Sequence, residues 1–311
     1  LNSTPEQCDG KNKANANKAL FCGAALCSAV DFQSTDMPIE KFIMPESLDG
    51  ALDALNEYGT DALLLAGGTM VMPLVNEAQT SPRVVVSLQR AGLNTVRANG
   101  QIEIGATTNL TRVSQMNELP LLAAASKEIG SWAIRNMATL AGNLFVPPPA
   151  GDAAVALLAL DAQVVAQSKN GERRIALDQF FTGLMQNALK PNELVTRLVV
   201  PKPRGKTNFI KYARREANAP AIVSVAARIV TDPEGIITEA RIALGAANDF
   251  PMRAKNAEAA LVGSGLNTQA IANAANAAMN ECKPFSDALA SEWYRKKMVG
   301  VYVKRVLEGI K

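Results

Sequence analysis

A chain of 311 residues exceeds what one core usually holds, and at roughly 100–200 residues per domain it predicts two domains. With 48% apolar residues and 32 basic against 29 acidic side chains, a net charge of +3, it reads as globular and excludes a nucleic-acid or anionic-membrane partner recognised by bulk charge. The count of 0 histidines removes the commonest general base, the commonest zinc ligand and a common covalent anchor for cofactors, so any chemistry must lean on a cofactor, carboxylates, Lys, Tyr or Cys.

Residues 1–36, rich in Asn, Ala, Lys and Ser, read as an extension of unassigned role. Residues 19–30 are apolar and follow Lys11, Lys13 and Lys18, superficially like a signal-peptide core, but they fall short of the roughly 18 residues of a membrane span. Cys8, Cys22 and Cys27 lie here and Cys282 near the other end, so positions 28–281 offer no thiolate to a cluster. Such sparse cysteines fit a reducing, cytoplasmic setting, and no metal site is expected. Pro38 opens denser apolar patterning. Ser47 as N-cap, with Ala51, Leu52 and Leu55 at helical spacing, predicts a helix ending near Gly59. Residues 63–65 read as a strand running into Ala66-Gly67-Gly68-Thr69, and residues 83–88 as a second strand. Asn99-Gly100 marks a turn into a third at 102–105.

Helical patterning follows at 111–116 and 121–129, with Pro120 as a break or first helical residue. Then come RNMATLAGNL at 135–144, the rigid Pro147-Pro148-Pro149, a long apolar segment at 153–165 and a strand at 193–200. Pro201 and Pro203 place a boundary at 201–206, giving an extension at 1–36, one domain at 37–203 and another at 204–311. In the last, Asp232-Pro233-Glu234-Gly235 joins two β-rich runs as a hairpin, and 254–262, 268–280 and 286–307 read as helices backing a small sheet.

Two glycine turns can bear chemistry, at 66–70 and 139–143. Glycine adopts positive φ cheaply, lets a ligand approach the backbone and leaves consecutive N–H groups free to face an anion, so the pair could clamp one pyrophosphate. Neither fits the dinucleotide fingerprint or the Walker pattern. Against these stand ordinary readings: turn glycines, Thr107 and Thr108 as capping residues, Asp152 as an N-cap, Arg214, Arg215 and Glu216 as a solvated charge cluster, and Trp132 with the methionines as residues that pack in cores or at subunit contacts.

The order AGGT at 66–69, IGATT at 104–108, RNMATLAGNL at 135–144, Asp152, KYARRE at 211–216 and PAIVSVAARI at 220–229 resembles the FAD-binding subunit of the molybdenum hydroxylases, the family of xanthine dehydrogenase and carbon monoxide dehydrogenase. The likeness spans residues 38–311. It implies an α+β fold: a two-subdomain FAD-binding domain of the vanillyl-alcohol-oxidase (PCMH) type and a small C-terminal domain with an antiparallel sheet backed by helices. By matching position it implies FAD contacts at Leu64, Leu65, Ala66, Gly67, Gly68, Thr69, Met70 and Val71, and at Ala138, Thr139, Gly142 and Asn143. Thr107 and Thr108 lie close by, Asp152 and Lys211 near the flavin, and Leu198 beside the ring. Ile129 stands where relatives place an aromatic against the adenine.

The resemblance further implies an oxidoreductase subunit without catalytic side chains of its own. Such a subunit passes electrons from a small [2Fe-2S] subunit through FAD to NAD, a quinone or another acceptor, beside a large molybdopterin subunit in a dimer of heterotrimers. Two alternatives remain open at this point: a self-sufficient flavin oxidoreductase of the same superfold, and an assembly subunit that has lost FAD. With no histidine and with its cysteines outside both loops, the chain is expected to bind FAD non-covalently through the backbone N–H groups of the two loops, with Thr69, Thr139 and Asn143 adding side-chain hydrogen bonds. Gly68→Val and Gly142→Val are each expected to release it.

Overall fold

The structure, a computed structural model, describes residues 39–310. The extension, with Cys8, Cys22 and Cys27, lies outside the described residues. Three sheets follow one another along the chain. The first holds β1 (Lys41–Ile43), β2 (Ala62–Leu65) and β3 (Val84–Ser87), all parallel in the order β1-β3-β2. Helix α1 (Leu48–Tyr58) crosses from β1 to β2 and buries Ala51, Leu52, Ala54 and Leu55. Ser47 caps it by accepting from Gly50 N, and Gly59 at φ 53 ends it, as the sequence predicts. Helix α2 (Val71–Asn76) follows the first glycine turn.

The second sheet is antiparallel in the order β4-β5-β10-β6-β7, from β4 (Val96–Asn99), β5 (Gln101–Gly105), β6 (Gln163–Ser168), β7 (Gly171–Ala176) and β10 (Leu194–Pro201). Helices α3 (Leu110–Val113), α4 (Pro120–Lys127), α5 (Trp132–Met137), α6 (Asp152–Ala159) and α7 (Leu177–Phe180) belong to this region. A two-stranded ribbon, β8 (Phe181–Gly183) with β9 (Gln186–Asn187), comes before β10. Pro120 is the first residue of α4, whereas the helix expected at 111–116 is a single short turn capped by Asn109.

The apolar segment at 153–165 divides into a helix and a strand. Asp161, at φ 53, breaks α6 from β6, and because all eight residues of α6 are buried the run carries no amphipathic period to announce the change.

The third sheet, antiparallel in the order β11-β12-β13-β14, is built from β11 (Lys206–Ala213), β12 (Ala221–Thr231), β13 (Ile237–Gly245) and β14 (Met252–Arg253). The predicted hairpin joins β12 to β13. Helices α8 (Lys255–Ala259), α9 (Thr268–Glu281) and α10 (Glu292–Glu308) share its core, α10 through Val299, Val303, Val306 and Leu307. Helix α10 starts later than the 286 expected, because Ser291 is its cap and Asp287 before it receives the buried Arg295 guanidinium at 2.7 Å. The α+β class and the helix-backed antiparallel C-terminal sheet agree with expectation. Among the described residues no helix is long and apolar enough to cross a membrane.

Candidate functional site

A cavity of about 590 Å³ opens where the first and second sheets meet β11 of the third, well inside the ~300–1,000 Å³ usual for ligand sites. The first glycine turn forms one wall, and there the sequence dictates the geometry most directly. Gly68 has φ 72, a left-handed conformation that turns the chain sharply after β2. Gly67 lies so close to the neighbouring chain that an added Cβ would sit 2.0 Å from Met137 O. The two glycine turns are thus in backbone contact, Gly67 against the segment that leads into 138–143. Among the described residues, the N–H groups of Ala66, Gly67, Gly68, Thr69 and Met70 find no hydrogen-bond acceptor. Consecutive free N–H groups on a glycine turn make an anion-binding nest.

The second turn behaves differently. From Leu140 to Asn143 its N–H groups are bonded within the chain: Leu140 to Thr108 O at 2.9 Å, Ala141 to Ala106 O at 3.1 Å, Gly142 to Thr139 Oγ1 at 3.2 Å and Asn143 to Thr139 O at 3.0 Å. Asn143 Oδ1 accepts from Ala153 N at 3.1 Å, which joins this turn to the start of α6. The two turns are not the symmetric backbone clamp that the sequence suggested. The second is a self-bonded wall that offers side chains, the Thr139 hydroxyl and the Asn143 amide N–H₂.

Ile129 and Gly130 supply further wall, held by Arg135, which donates to both their carbonyls at 3.1 Å. Opposite stand Leu189, Leu194 and Val195, with Glu193. The Glu193 carboxylate accepts from Arg173 Nε at 2.7 Å and from Lys190 N at 2.8 Å, while Arg173 also holds Ala188 O at 2.7 Å. The Arg173 hydrogen bond pulls the Glu193 carboxyl below the ordinary glutamate range against the opposing push of burial, and the Lys190 N–H adds to the lowering. The segment Asn218-Ala219-Pro220 completes the rim. It leads into residues whose carbonyls, Ala221 O at 3.2 Å and Ile222 O at 2.6 Å, accept from the fully buried Arg295.

A buried ion pair spans the cavity wall. Lys211 of β11 reaches Asp152 at 2.8 Å, with 6% and 4% of the two side chains exposed, and also donates to Glu128 O at 2.9 Å. Asp152 is not the N-cap: Gly151, at φ 92, holds that position without a side-chain bond, and the aspartate in the first turn turns to the lysine instead. Nor are Thr107 and Thr108 caps, since Asn109 serves α3 by accepting from Arg112 N.

Of the residues expected at the site, Leu64, Ala66, Gly67, Gly68, Thr69, Met70, Val71, Thr107, Ala138, Thr139, Gly142, Asn143, Asp152 and Lys211 line the cavity. Leu65, Thr108 and Leu198 do not. Leu65 and Thr108 are buried, with 8% and 1% exposed. Leu198 is wholly buried on β10 between β5 and β6, further along the strand than the lining Leu194 and Val195. Sequence reasoning missed Glu193, Leu189, Arg135 and Arg173. Trp132, expected in a core or at a subunit contact, is 69% exposed on α5 and so lies outside the core of this chain, and Arg215 is spent locally on the carbonyls of Ala217 and Asn218.

The residues fit an elongated dinucleotide. Free N–H groups and a glycine bend suit a diphosphate, and aliphatic walls suit a flat ring. Among the described residues the charged lining groups are Asp152, Glu193 and Lys211, which include no cationic cluster that could replace the nest. Comparison with known proteins agrees. Residues 33–203 match the family described as FAD binding domain in molybdopterin dehydrogenase, and residues 208–310 the CO dehydrogenase flavoprotein C-terminal domain. The chain is 33% identical over 278 residues to the alpha subunit of the 6-hydroxypseudooxynicotine dehydrogenase complex of Paenarthrobacter nicotinovorans, covering 87% of this chain and 94% of that one. It is 31% identical to the glyceraldehyde dehydrogenase medium chain of Sulfolobus acidocaldarius, covering 88% and 99%. Among solved structures, a chain of the carbon monoxide dehydrogenase of Hydrogenophaga pseudoflava superposes with a TM-score of 0.84 at 30% identity, covering 88% of this chain and 98% of that one.

Proposed function

The chain belongs to the family of FAD-binding subunits of the molybdopterin dehydrogenases, and on that premise we propose that it is the electron-transfer subunit of a larger oxidoreductase. In this reading it works in the cytoplasm between a small [2Fe-2S] subunit and a large molybdopterin subunit, in a dimer of heterotrimers, and yields its electrons to NAD, a quinone or another acceptor. FAD, when bound, supplies the redox chemistry, and the chain supplies its placement.

The free N–H groups at 66–70 take the diphosphate, and this nest is the observation that carries the reading. Thr69, Thr139 and Asn143 add side-chain bonds. Ile129, Leu189, Leu194 and Val195 exclude water from the ring systems. Lys211 and Asp152 hold a fixed dipole at the cavity, so the electrostatic environment of the cofactor is set before it binds. Leu65, Thr108 and Leu198 act from behind the lining, as packing.

The relatives support the multi-subunit assembly, one being the alpha subunit of a dehydrogenase complex and another the medium chain of a dehydrogenase. Native purification followed by flavin, iron and molybdenum analysis tests the whole reading. The expected result is this chain with two partners, FAD released by denaturant, and metals that leave with the partners. A chain purified alone that oxidises an organic substrate and bleaches its own flavin would establish the self-sufficient oxidoreductase instead. A chain without a yellow chromophore in a complete complex would establish the assembly subunit.

A further inference from the structure

Helix α6 is common to two parts of the molecule. All its residues are buried, and the hydrophobic core it enters includes Ala226 of β12 and Ala243 of β13. Both its ends carry a carboxylate tied to the third sheet. At the cavity end Asp152 holds Lys211 of β11. Beyond the other end of the helix, which is about 12 Å long at 1.5 Å per residue, Asp161 takes the left-handed conformation that aspartate tolerates better than most side chains.

The Asp161 carboxylate accepts from Arg241 Nε at 2.8 and 3.0 Å, from Arg253 Nη1 at 3.1 Å and from Arg228 Nη2. These arginines stand on β12, β13 and β14. Arg228 and Arg241 are direct cross-strand partners, a pairing of like charges that is unfavourable unless an anion lies between them. Burial pushes the Arg228 guanidinium below its ordinary value, Asp161 pushes it back up, and Arg241 adds to the lowering. Glu239 and Arg204 also face Arg228, and Glu258 takes the rest of Arg253.

We propose that Asp161 is a positioning residue for the cofactor site: by fastening three strands of the C-terminal sheet to the far end of α6, it fixes where β11 delivers Lys211 to Asp152 in the cavity wall. The proposal rests on the FAD reading given above. Without the Asp161 charge the sheet keeps, among the described residues, only the Arg228 Nε bond to Ala159 O at 3.0 Å at this end of α6, and a shift of β12 and β13 there passes through their pairing with β11 to Lys211.

The test uses the full chain stripped of FAD and titrated with FAD, followed by flavin fluorescence, with the midpoint potential of the bound flavin as a second readout. Asp161→Asn keeps size and backbone preference and removes the charge. The expected result is a Kd raised about tenfold or more, roughly the loss of one charge-assisted hydrogen bond, together with a lower midpoint potential as the ammonium leaves the cavity. The double variant Asp161→Asn/Arg241→Gln removes the facing arginine pair without restoring the fastening, so it should unfold at higher denaturant than the single variant yet keep the raised Kd and lowered potential. Wild-type Kd and potential in Asp161→Asn would overturn the proposal. So would their full recovery in the double variant, which would leave Asp161 only a charge balancer within the sheet, and so would a raised Kd with unchanged potential. Failure of the wild-type chain to take up FAD would strike the proposed function itself and is distinguishable from all of these.

Discussion

Gly67, Gly68 and Gly142 look alike in the sequence and differ in the structure. At Gly68 a β-branched side chain meets a positive φ of 72 and two side chains, Met72 Cγ at 3.2 Å and Leu65 Cδ1 at 3.4 Å, while no backbone blocks it. Gly68→Val should therefore bend the nest and lose most of the bound FAD in a chain that still folds. At Gly67 any Cβ collides with Met137 O, so Gly67→Ala should lower the denaturation midpoint of the apo chain as well. Gly142 has no positive φ and its N–H is already bonded, so Gly142→Val should disturb Thr139 and weaken FAD less than Gly68→Val does. Flavin absorbance per mole of protein, with circular dichroism as folding control, ranks the three; equal losses at 68 and 142 would mean that the second turn binds through its backbone after all. Glu193 was invisible in the sequence because only folding brings Arg173, 20 residues away, onto it. Its folded carboxyl titrates below the unfolded glutamate range, so the stabilisation it gives is present at neutral pH and vanishes as pH falls through the folded value. Wild type should accordingly hold FAD more tightly than Glu193→Gln at pH 7, and the two should converge on acidification. Parallel pH profiles would remove Glu193 from the support of the wall.

Elements were legible where a local signal sufficed. Ser47 and Gly59 bounded α1, Asn99-Gly100 turned the β4–β5 hairpin, Pro120 opened α4, and Asp232 to Gly235 closed the β12–β13 hairpin, each through chemistry contained within a few residues. They were illegible where burial was complete or where pairing was long-range. Helix α6 hides in an apolar run because every side of it is covered, and β11, after its exposed Lys206, presents residues of intermediate burial with no alternation to read. Helix α5 is a short element whose work was also hidden: it carries Arg135, the anchor of the Ile129-Gly130 wall. Its six residues are too few to be stable alone, so its cap matters, and Ser131 Oγ accepts from Ile134 N at 3.3 Å. Ser131→Ala should cost about 1 kcal/mol of stability and weaken FAD by a few-fold through the loosened wall, measurable by denaturant titration and flavin binding. Unchanged FAD binding with the stability loss in place would show that the wall does not depend on the helix.

At the scale of the whole molecule, the proline-marked boundary near 201–206 is where the chain passes from the second sheet to the third, and the cores on its two sides are distinct except where Ala226 and Ala243 enter the core of the second sheet. The sequence could show where the chain changes register and composition. It could not show that α6, 50 residues upstream, would be roofed by strands downstream. Cutting the chain after Pro203 would uncover the face of α6 that lies against Ala226 and Ala243, and it would remove Lys211 and so leave Asp152 as a buried, unpaired carboxylate. Breaking a buried pair from one side costs about 3–5 kcal/mol, a large part of the roughly 5–15 kcal/mol that holds a typical domain together, before the exposed apolar surface is counted. The fragment 38–203 should therefore lack a cooperative denaturant transition, bind a hydrophobic dye and fail to retain FAD, although it contains both glycine turns. Adding Asp152→Asn to the fragment removes the stranded charge and should restore part of the transition without restoring FAD. A fragment that melts cooperatively and binds FAD as the full chain does would show that the third sheet is an appendage, and that the ion pair across the cavity wall is dispensable to the cofactor.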